Sequence, residues 1–327
     1  MFAGPAEVPV DMSLDHSGRA AAGVGIDLRL VLRLRSVLID LDPLAVVAHG
    51  SEPLKYLVPA MVDRRRPLAY HAIGTYSGSH RSMQERIWKF LHGRPDLIIA
   101  VGEEVRSECI VRFGVPEDHV IFVPNGRDPL TFRPAGDGQR ASPPQLLFVG
   151  ALTPGKRPQR FITMVQHLRA RGLEFSATMV GGGPLHGALM DSAKAAGVEL
   201  LGSRSDIPQL MRQADVLVFT SLPSGEGMPG VLIEAGLSAL PAVATDVPGV
   251  RSVVDNGSTG FVIGLGDTDA MVTALERLLD DSGLRTSMGR AARQHCLEHF
   301  GIDSVATQWS EALRPLLEGM GRRPAAR

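Results

Sequence analysis

From Gln145 onward the chain alternates β-branched apolar runs with amphipathic stretches, which confines this half to an α/β domain with a parallel sheet. Strands are expected near 145–150, 174–180, 198–202, 215–220, 241–245 and 261–263. Helices fill the gaps at about 158–171, 185–196, 206–213, 230–239 and 268–281, closed by Pro, Gly and Asp. Six strands wound with helices make a complete doubly wound domain. Before a Pro/Gly-rich linker, Arg133 to Pro144, the same pattern yields four strands, near 44–48, 68–72, 97–101 and 119–123. The first half therefore reads as a shorter, incomplete α/β domain. Residues 1–26 are polar, Gly/Ala-rich and weakly periodic, so they cannot supply a buried central strand and are expected to be disordered.

Composition removes several function classes. With 327 residues, 44% of them hydrophobic, the chain can bury two cores. The balance of 34 Lys+Arg against 35 Asp+Glu makes no electrostatic case for nucleic acid. Cys109 and Cys296 lie in helix-like stretches, one in each half, so a disulfide framework is not expected. The N-terminus lacks a basic start followed by an apolar core, and no run of about eighteen apolar residues occurs, so a cytoplasmic protein is expected. One basic stripe qualifies this. Arg29, Arg33 and Arg35 sit among leucines and valines in Asp27–Ile39, and Arg64-Arg65-Arg66 follows. The stripe fits a surface helix packing its apolar face on a sheet, or peripheral contact with the inner face of an anionic membrane.

The chemistry concentrates in Ser221–Leu237, SLPSGEGMPGVLIEAGL. Ala214–Thr220 reads as strand and Val231 onward as helix, so Gly227, Met228, Pro229 and Gly230 fall where a strand hands over to a helix N-terminus. Unpaired N–H groups of the first helical turn and the helix dipole favour phosphate there, and glycines let it approach the main chain. Glu226 and Glu234 would repel a diphosphate; they fit neutral hydroxyls instead, one on a ribose and one on a sugar. A nucleotide-sugar has this pattern of groups. A solvated loop with a helix cap is the plain alternative for these local residues.

This segment resembles the Glu-x7-Glu signature of retaining glycosyltransferases of the GT-B fold, the glycosyltransferase group 1 family, and the resemblance runs over about residues 44–313. It implies two Rossmann-like domains facing across a cleft: an acceptor-side domain over 1–134, a linker over 135–144, a nucleotide-sugar donor domain over 145–303, and a C-terminal helix over 304–327 that packs back on the first domain. The family's opening strand, glycine-rich loop and next strand–helix units are absent, so either the start is assigned late or the acceptor domain is degenerate. Val123-Pro124-Asn125-Gly126, with Asp128, Phe132 and Pro134, resembles the family's turn into the linker, an architectural role. Phe148-Val149-Gly150 followed by Lys156 resembles the strand–turn motif whose basic pair holds the donor diphosphate. The arginine usual after that glycine is Ala151, which makes Arg157 the candidate replacement. Gly181-Gly182-Gly183-Pro184 resembles the turn beside the nucleotide, and Ser203 and Arg204 fall where family members recognise the base. His49 and His71 follow apolar strands at the sheet's carboxyl edge, and His71 is carried as an acceptor-side or donor-sugar contact. The family's Ser after strand 97–101 is Gly102 here.

The resemblance implies transfer from a UDP- or GDP-linked sugar to a hydroxyl acceptor with retention of configuration, and no metal or separate cofactor. Glu226, Lys156 and His71 would be catalytic. Gly150, Arg157, Gly183, Ser203, Arg204, Gly227, Met228, Gly230, Val231 and Glu234 would hold the donor. A second reading is a nucleotide-sugar-binding protein without transferase activity. Two other α/β classes fail on single residues. Gly150-x4-Gly155-Lys156 nearly spells a P-loop, but Arg157 stands where Ser or Thr must hold Mg²⁺. A dinucleotide fold needs a third glycine where His186 stands.

Overall fold

The computed structural model describes residues 26–63, 66–75, 83–136, 142–224 and 226–318. Residues 1–25, Arg64 and Arg65, part of the linker and the tail from 319 lie outside this description, as do the expectations placed on them.

Two parallel sheets form. The first contains β1 (Val46–His49), β2 (Leu68–Ala72), β3 (Leu97–Ala100) and β4 (Val120–Phe122) in that spatial order. Its chain also forms α1 (Leu28–Leu41), α2 (Ser51–Ala60), α3 (Met83–His92) and α4 (Glu103–Ser107). The second contains β5 (Gln145–Val149), β6 (Ser176–Val180), β7 (Glu199–Leu200), β8 (Val216–Phe219), β9 (Ala242–Thr245) and β10 (Gly260–Ile263), ordered β10-β9-β8-β5-β6-β7. The order reverses between β5 and β8, so their carboxyl ends open a crevice, as open parallel sheets do. Helices α5 (Pro158–Ala170), α6 (His186–Ala196), α7 (Ile207–Gln213), α8 (Gly230–Leu237), α9 (Val250–Val253) and α10 (Thr268–Asp280) provide the crossovers, followed by α11 (Ser282–Phe300) and α12 (Ile302–Glu318).

Every residue of β2, β3, β8 and β9 is buried, which explains their near-continuous apolar runs. Helix α12 crosses back to the first sheet. Its Val305 joins Ala69, Leu97, Ile99 and Val123 in one buried cluster, and Trp309 and Leu313 pack against it. The turn between α11 and α12 is stitched to the end of the first sheet: Arg127 N–H donates to the Phe300 carbonyl at 2.9 Å, and Ile302 N–H to that of Arg127 at 2.9 Å. A Cβ on Gly126 would lie 3.0 Å from Ile302 and 3.1 Å from Val305, so this position must stay small.

Helix α1 is capped by Asp27, whose side chain accepts from Arg29 N–H at 2.8 Å. It packs on α2 while Leu28, Leu32 and Ile39 remain exposed. Arg35 pairs with Asp63 and Arg66 with Asp42, around a cavity of about 410 Å³ at the β1 edge. Both arginines lining that cavity are thus already neutralised. No helix among the described residues is long and apolar enough to cross a membrane.

Strand parity places His71 on the same face of β2 as Ala69, under α12. Its Nδ1 lies 2.8 Å from His49 Nδ1, and the ring meets Trp309 edge-on with centroids 4.8 Å apart. Burial, with His49 adding to it, lowers its pKa from 6.5 to about 4. His92, stacked on Phe113 and bonded to the Trp88 carbonyl, is lowered by burial to about 4 as well. A folded-state pKa below the unfolded value means that the unfolded chain takes up protons first. Stability is therefore fully present above about pH 6.5 and is lost as pH falls towards 4, by up to about 3 kcal/mol per histidine. Urea unfolding between pH 7 and 4 should show this slope, and His71→Asn should flatten it; parallel slopes for variant and wild type would contradict it.

Candidate functional site

At the crevice the second sheet, α8 and the last turn of the first domain enclose a cavity of about 280 Å³. Gly150 at the end of β5 lines it, with Lys156, Glu226, Met228, Gly230 and Glu234. Lys156 closes a short 3₁₀ turn, Pro154–Lys156. That turn is held by the strand beside it: Thr220 Oγ1 donates to the Lys156 carbonyl at 2.7 Å, and Leu222 N–H to that of Gly155 at 2.7 Å. Ser221 is fixed in turn by Thr245 Oγ1, which donates to its carbonyl at 2.8 Å. The ends of three adjacent strands therefore set the geometry.

Two ion pairs occupy the cavity. Lys156 Nζ contacts Glu226 Oε1, and Arg127 Nε donates to Glu234 Oε1 at 2.6 Å. The glutamates are 10% and 18% exposed at their side chains, so each needs its cation, because an unpaired charge at that depth is costly. Helix α8 begins after Pro229 with no side-chain cap, and Gly230 and Val231 line the cavity. Their N–H groups lie in the first turn, where intrahelical partners are missing, and the dipole adds positive character. The cavity thus offers two cations and a helix N-terminus to an anion, and two carboxylates to hydroxyls.

The first domain clamps the turn before α8. Asn125 Nδ2 donates to the Met228 carbonyl at 3.1 Å. A Cβ on Gly227 would stand 2.5 Å from the Ile73 carbonyl oxygen and 3.0 Å from Gly74, and one on Gly102 would stand 2.9 Å from the Gly227 oxygen. The glycine at 102 is therefore required by this close backbone approach. Gly227→Ala should separate the two domains locally, lowering the melting temperature and weakening any ligand held in the cavity. A variant with wild-type melting and ligand affinity would show that the contact is loose.

Residues 143–281 match the family model described as "Glycosyl transferases group 1", and residues 15–129 the model described as "Glycosyltransferase Family 4". The fold agrees with solved structures: an Anabaena protein, HepE, in complex with UDP-glucose (TM-score 0.76, 21% identity, covering 87% of this chain and 82% of that one) and sucrose-phosphate synthase from Thermosynechococcus elongatus (TM-score 0.76, 18% identity, covering 89% and 78%). The fold is GT-B. The two family matches support the glycosyltransferase group 1 family. Among curated relatives, the chain is 31% identical over 221 residues to an Escherichia coli UDP-Gal:alpha-D-GlcNAc-diphosphoundecaprenol alpha-1,3-galactosyltransferase, covering 63% of this chain and 56% of the relative. It is 28% identical over 295 residues to a D-inositol 3-phosphate glycosyltransferase from Paenarthrobacter aurescens, covering 85% and 68%. The chain thus spans little more than half the length of the first of these relatives.

In this GT-B chain the structure brings together Gly150, Lys156, Glu226, Met228, Gly230, Val231 and Glu234, with Gly227 in the turn just beside them. It does not bring in Arg157. That residue adopts a left-handed backbone, φ 49°, which starts α5 on the far side of the turn, and its side chain lines a different cavity. His71 is likewise absent from the cavity, because its face of β2 is covered by Trp309. Gly183 packs tightly over the Leu152 main chain, Ser203 lies against Gly182, and Arg204 is paired with Asp206; none of the three lines the cavity. The residue that sequence reasoning missed is Arg127. It follows Asn125-Gly126 directly, so the turn had been singled out for its architecture but not for the cation it carries across to α8.

Proposed function

We propose that the chain is a glycosyltransferase that moves a sugar from a nucleoside diphosphate sugar, UDP- or GDP-linked, to a hydroxyl acceptor, with retention of configuration and without a metal. The observation that carries this reading is the pairing of Lys156 with Glu226 and Arg127 with Glu234 at the uncapped start of α8, inside one cavity. Glu234 accepts hydrogen bonds from the ribose hydroxyls and Glu226 from those of the sugar. Their cations then turn to the diphosphate. As the bond from the anomeric carbon to the diphosphate oxygen breaks, negative charge grows on the leaving group beside Lys156, Arg127 and the α8 N–H groups, which stabilise it where a metal ion would otherwise act. The acceptor oxygen bonds to the same face of the anomeric carbon, and its proton passes to the departing phosphate.

Retention rests on the spacing of Glu226 and Glu234 and its resemblance to the family signature. The company of named transferases and synthases does not favour a protein that only binds. Calorimetry with UDP-, GDP- and ADP-sugars, followed by an assay for released nucleoside diphosphate, tests the proposal. Binding of one donor with slow release in water, accelerated by an acceptor, is expected. Failure of all three to bind would reject it.

A further inference from the structure

Arg160, on the first turn of α5, is 6% exposed, and its three guanidinium nitrogens make no hydrogen bond. A guanidinium carries five N–H donors and stays protonated, so it cannot escape an unpaired buried position by losing its charge. Burial, with Arg157 adding repulsion, depresses its pKa, and Asp267 offsets this only in part. The Asp267 carboxylate is itself committed to capping α10, accepting from Ala270 N–H at 2.9 Å. Arg160 lines a cavity of about 470 Å³ together with Arg157, Gln159, Thr163 and Thr268. Two helices begin there: α5 at Pro158, without a side-chain cap, and α10 at Thr268. Leu185 and Leu222 form the apolar part of the wall. This cavity shares no lining residue with the one around Glu226, for the 3₁₀ turn divides them, with Lys156 lining one and Arg157 the other.

We infer that this second cavity is a binding site for a phosphomonoester, whose phosphate is held by Arg160 and Arg157 and whose organic part lies against Leu185 and Leu222. A tetrahedral oxyanion matches the planar fork of Arg160, supplies the missing counter-charge, and accepts from the Thr268 hydroxyl and the Gln159 N–H at the start of α5, the Thr163 hydroxyl and the Arg160 N–H being already bonded to the Gln159 and Arg157 carbonyls. The apolar wall that Leu185 and Leu222 set beside the arginines favours an ester over free phosphate. The site is independent of the proposed transferase reading, since none of its residues belongs to the diphosphate cavity.

The test is calorimetry on the full chain with inorganic phosphate and with glycerol 3-phosphate, comparing wild type, Lys156→Ala, Arg160→Met and Arg157→Gly. Wild type and Lys156→Ala should bind both anions alike, with the ester tighter. Arg160→Met should lose at least about 30-fold in affinity, as when one partner of a buried charge pair is truncated. Its melting temperature without phosphate should equal or exceed that of wild type, because an uncompensated buried charge is gone. UDP affinity should be unchanged in Arg160→Met. Arg157→Gly keeps the left-handed backbone and therefore the fold, and should also bind phosphate more weakly. Undetectable binding by wild type, equal binding by Arg160→Met and Arg157→Gly, or a loss confined to Lys156→Ala would overturn the inference, the last by placing the anion in the diphosphate cavity.

Discussion

Lys156→Ala should lower turnover by about 10²–10³-fold while changing donor affinity far less, because the lysine meets charge that appears mainly as the leaving group departs. Lys156 is paired with Glu226, so its removal also leaves a carboxylate, 10% exposed, without its cation. That cost falls mainly on the free protein, because bound donor gives Glu226 sugar hydroxyls as partners, so it offsets part of the affinity lost with the lysine's contact to the diphosphate. Lys156→Arg should recover part of the rate, since it restores the charge but not its compact placement. Single-turnover kinetics with the best donor separate the two effects. A turnover number equal to that of wild type in Lys156→Ala would remove the lysine from the chemistry.

Glu234→Ala should act on the other parameter. Two charge-assisted hydrogen bonds to a pentose contribute about 1.5–3 kcal/mol each, so UDP affinity should fall by roughly 10- to 100-fold even after compensation. Compensation is expected from Arg127, whose Nε donates to Glu234 at 2.6 Å and is freed by the substitution to face the diphosphate. Arg127→Ala alone should weaken UDP binding too, because a cation reaching in from the first domain is lost. The double variant should not lose the sum of the two effects, because the residues are coupled. Additive losses in the cycle would mean that the pair is a domain latch with no part in binding.

The features legible in the sequence were those built from local order. Glu226 and Glu234 flank one strand–turn–helix step, and Lys156 ends the turn of the neighbouring strand, so periodicity and glycine placement were enough to bring them together. All ten described strands overlap the expected positions, since buried parallel strands read as short apolar runs. Arg127 was not legible for a physical reason: its partner lies 107 positions away in another domain, and only the docking of the first domain on α8 brings them within reach. The face of β2 that carries His71 could be assigned only once α12 was seen to cross back and cover it with Trp309. Arg157, named as the substitute for the arginine missing at Ala151, lines the other cavity because its left-handed backbone turns the chain between it and Lys156. The later part of α11, around Cys296, was legible as helix, but its start was obscured by the junction with α10, where Asp281 alone separates the two and caps the second, accepting from Leu284 N–H at 2.8 Å.

In the proposed reaction this cavity grips a nucleoside diphosphate sugar by its alcohols through carboxylates and by its phosphates through Lys156, Arg127 and α8. A crystal structure of the chain soaked with the donor that binds best by calorimetry tests it directly. The pentose hydroxyls should lie on Glu234, sugar hydroxyls on Glu226, and the diphosphate between Lys156 and the Gly230 and Val231 amides, with Arg127 released from Glu234. Donor bound elsewhere, or Glu234 still locked to Arg127 with no pentose beside it, would show that these residues do not form the donor site.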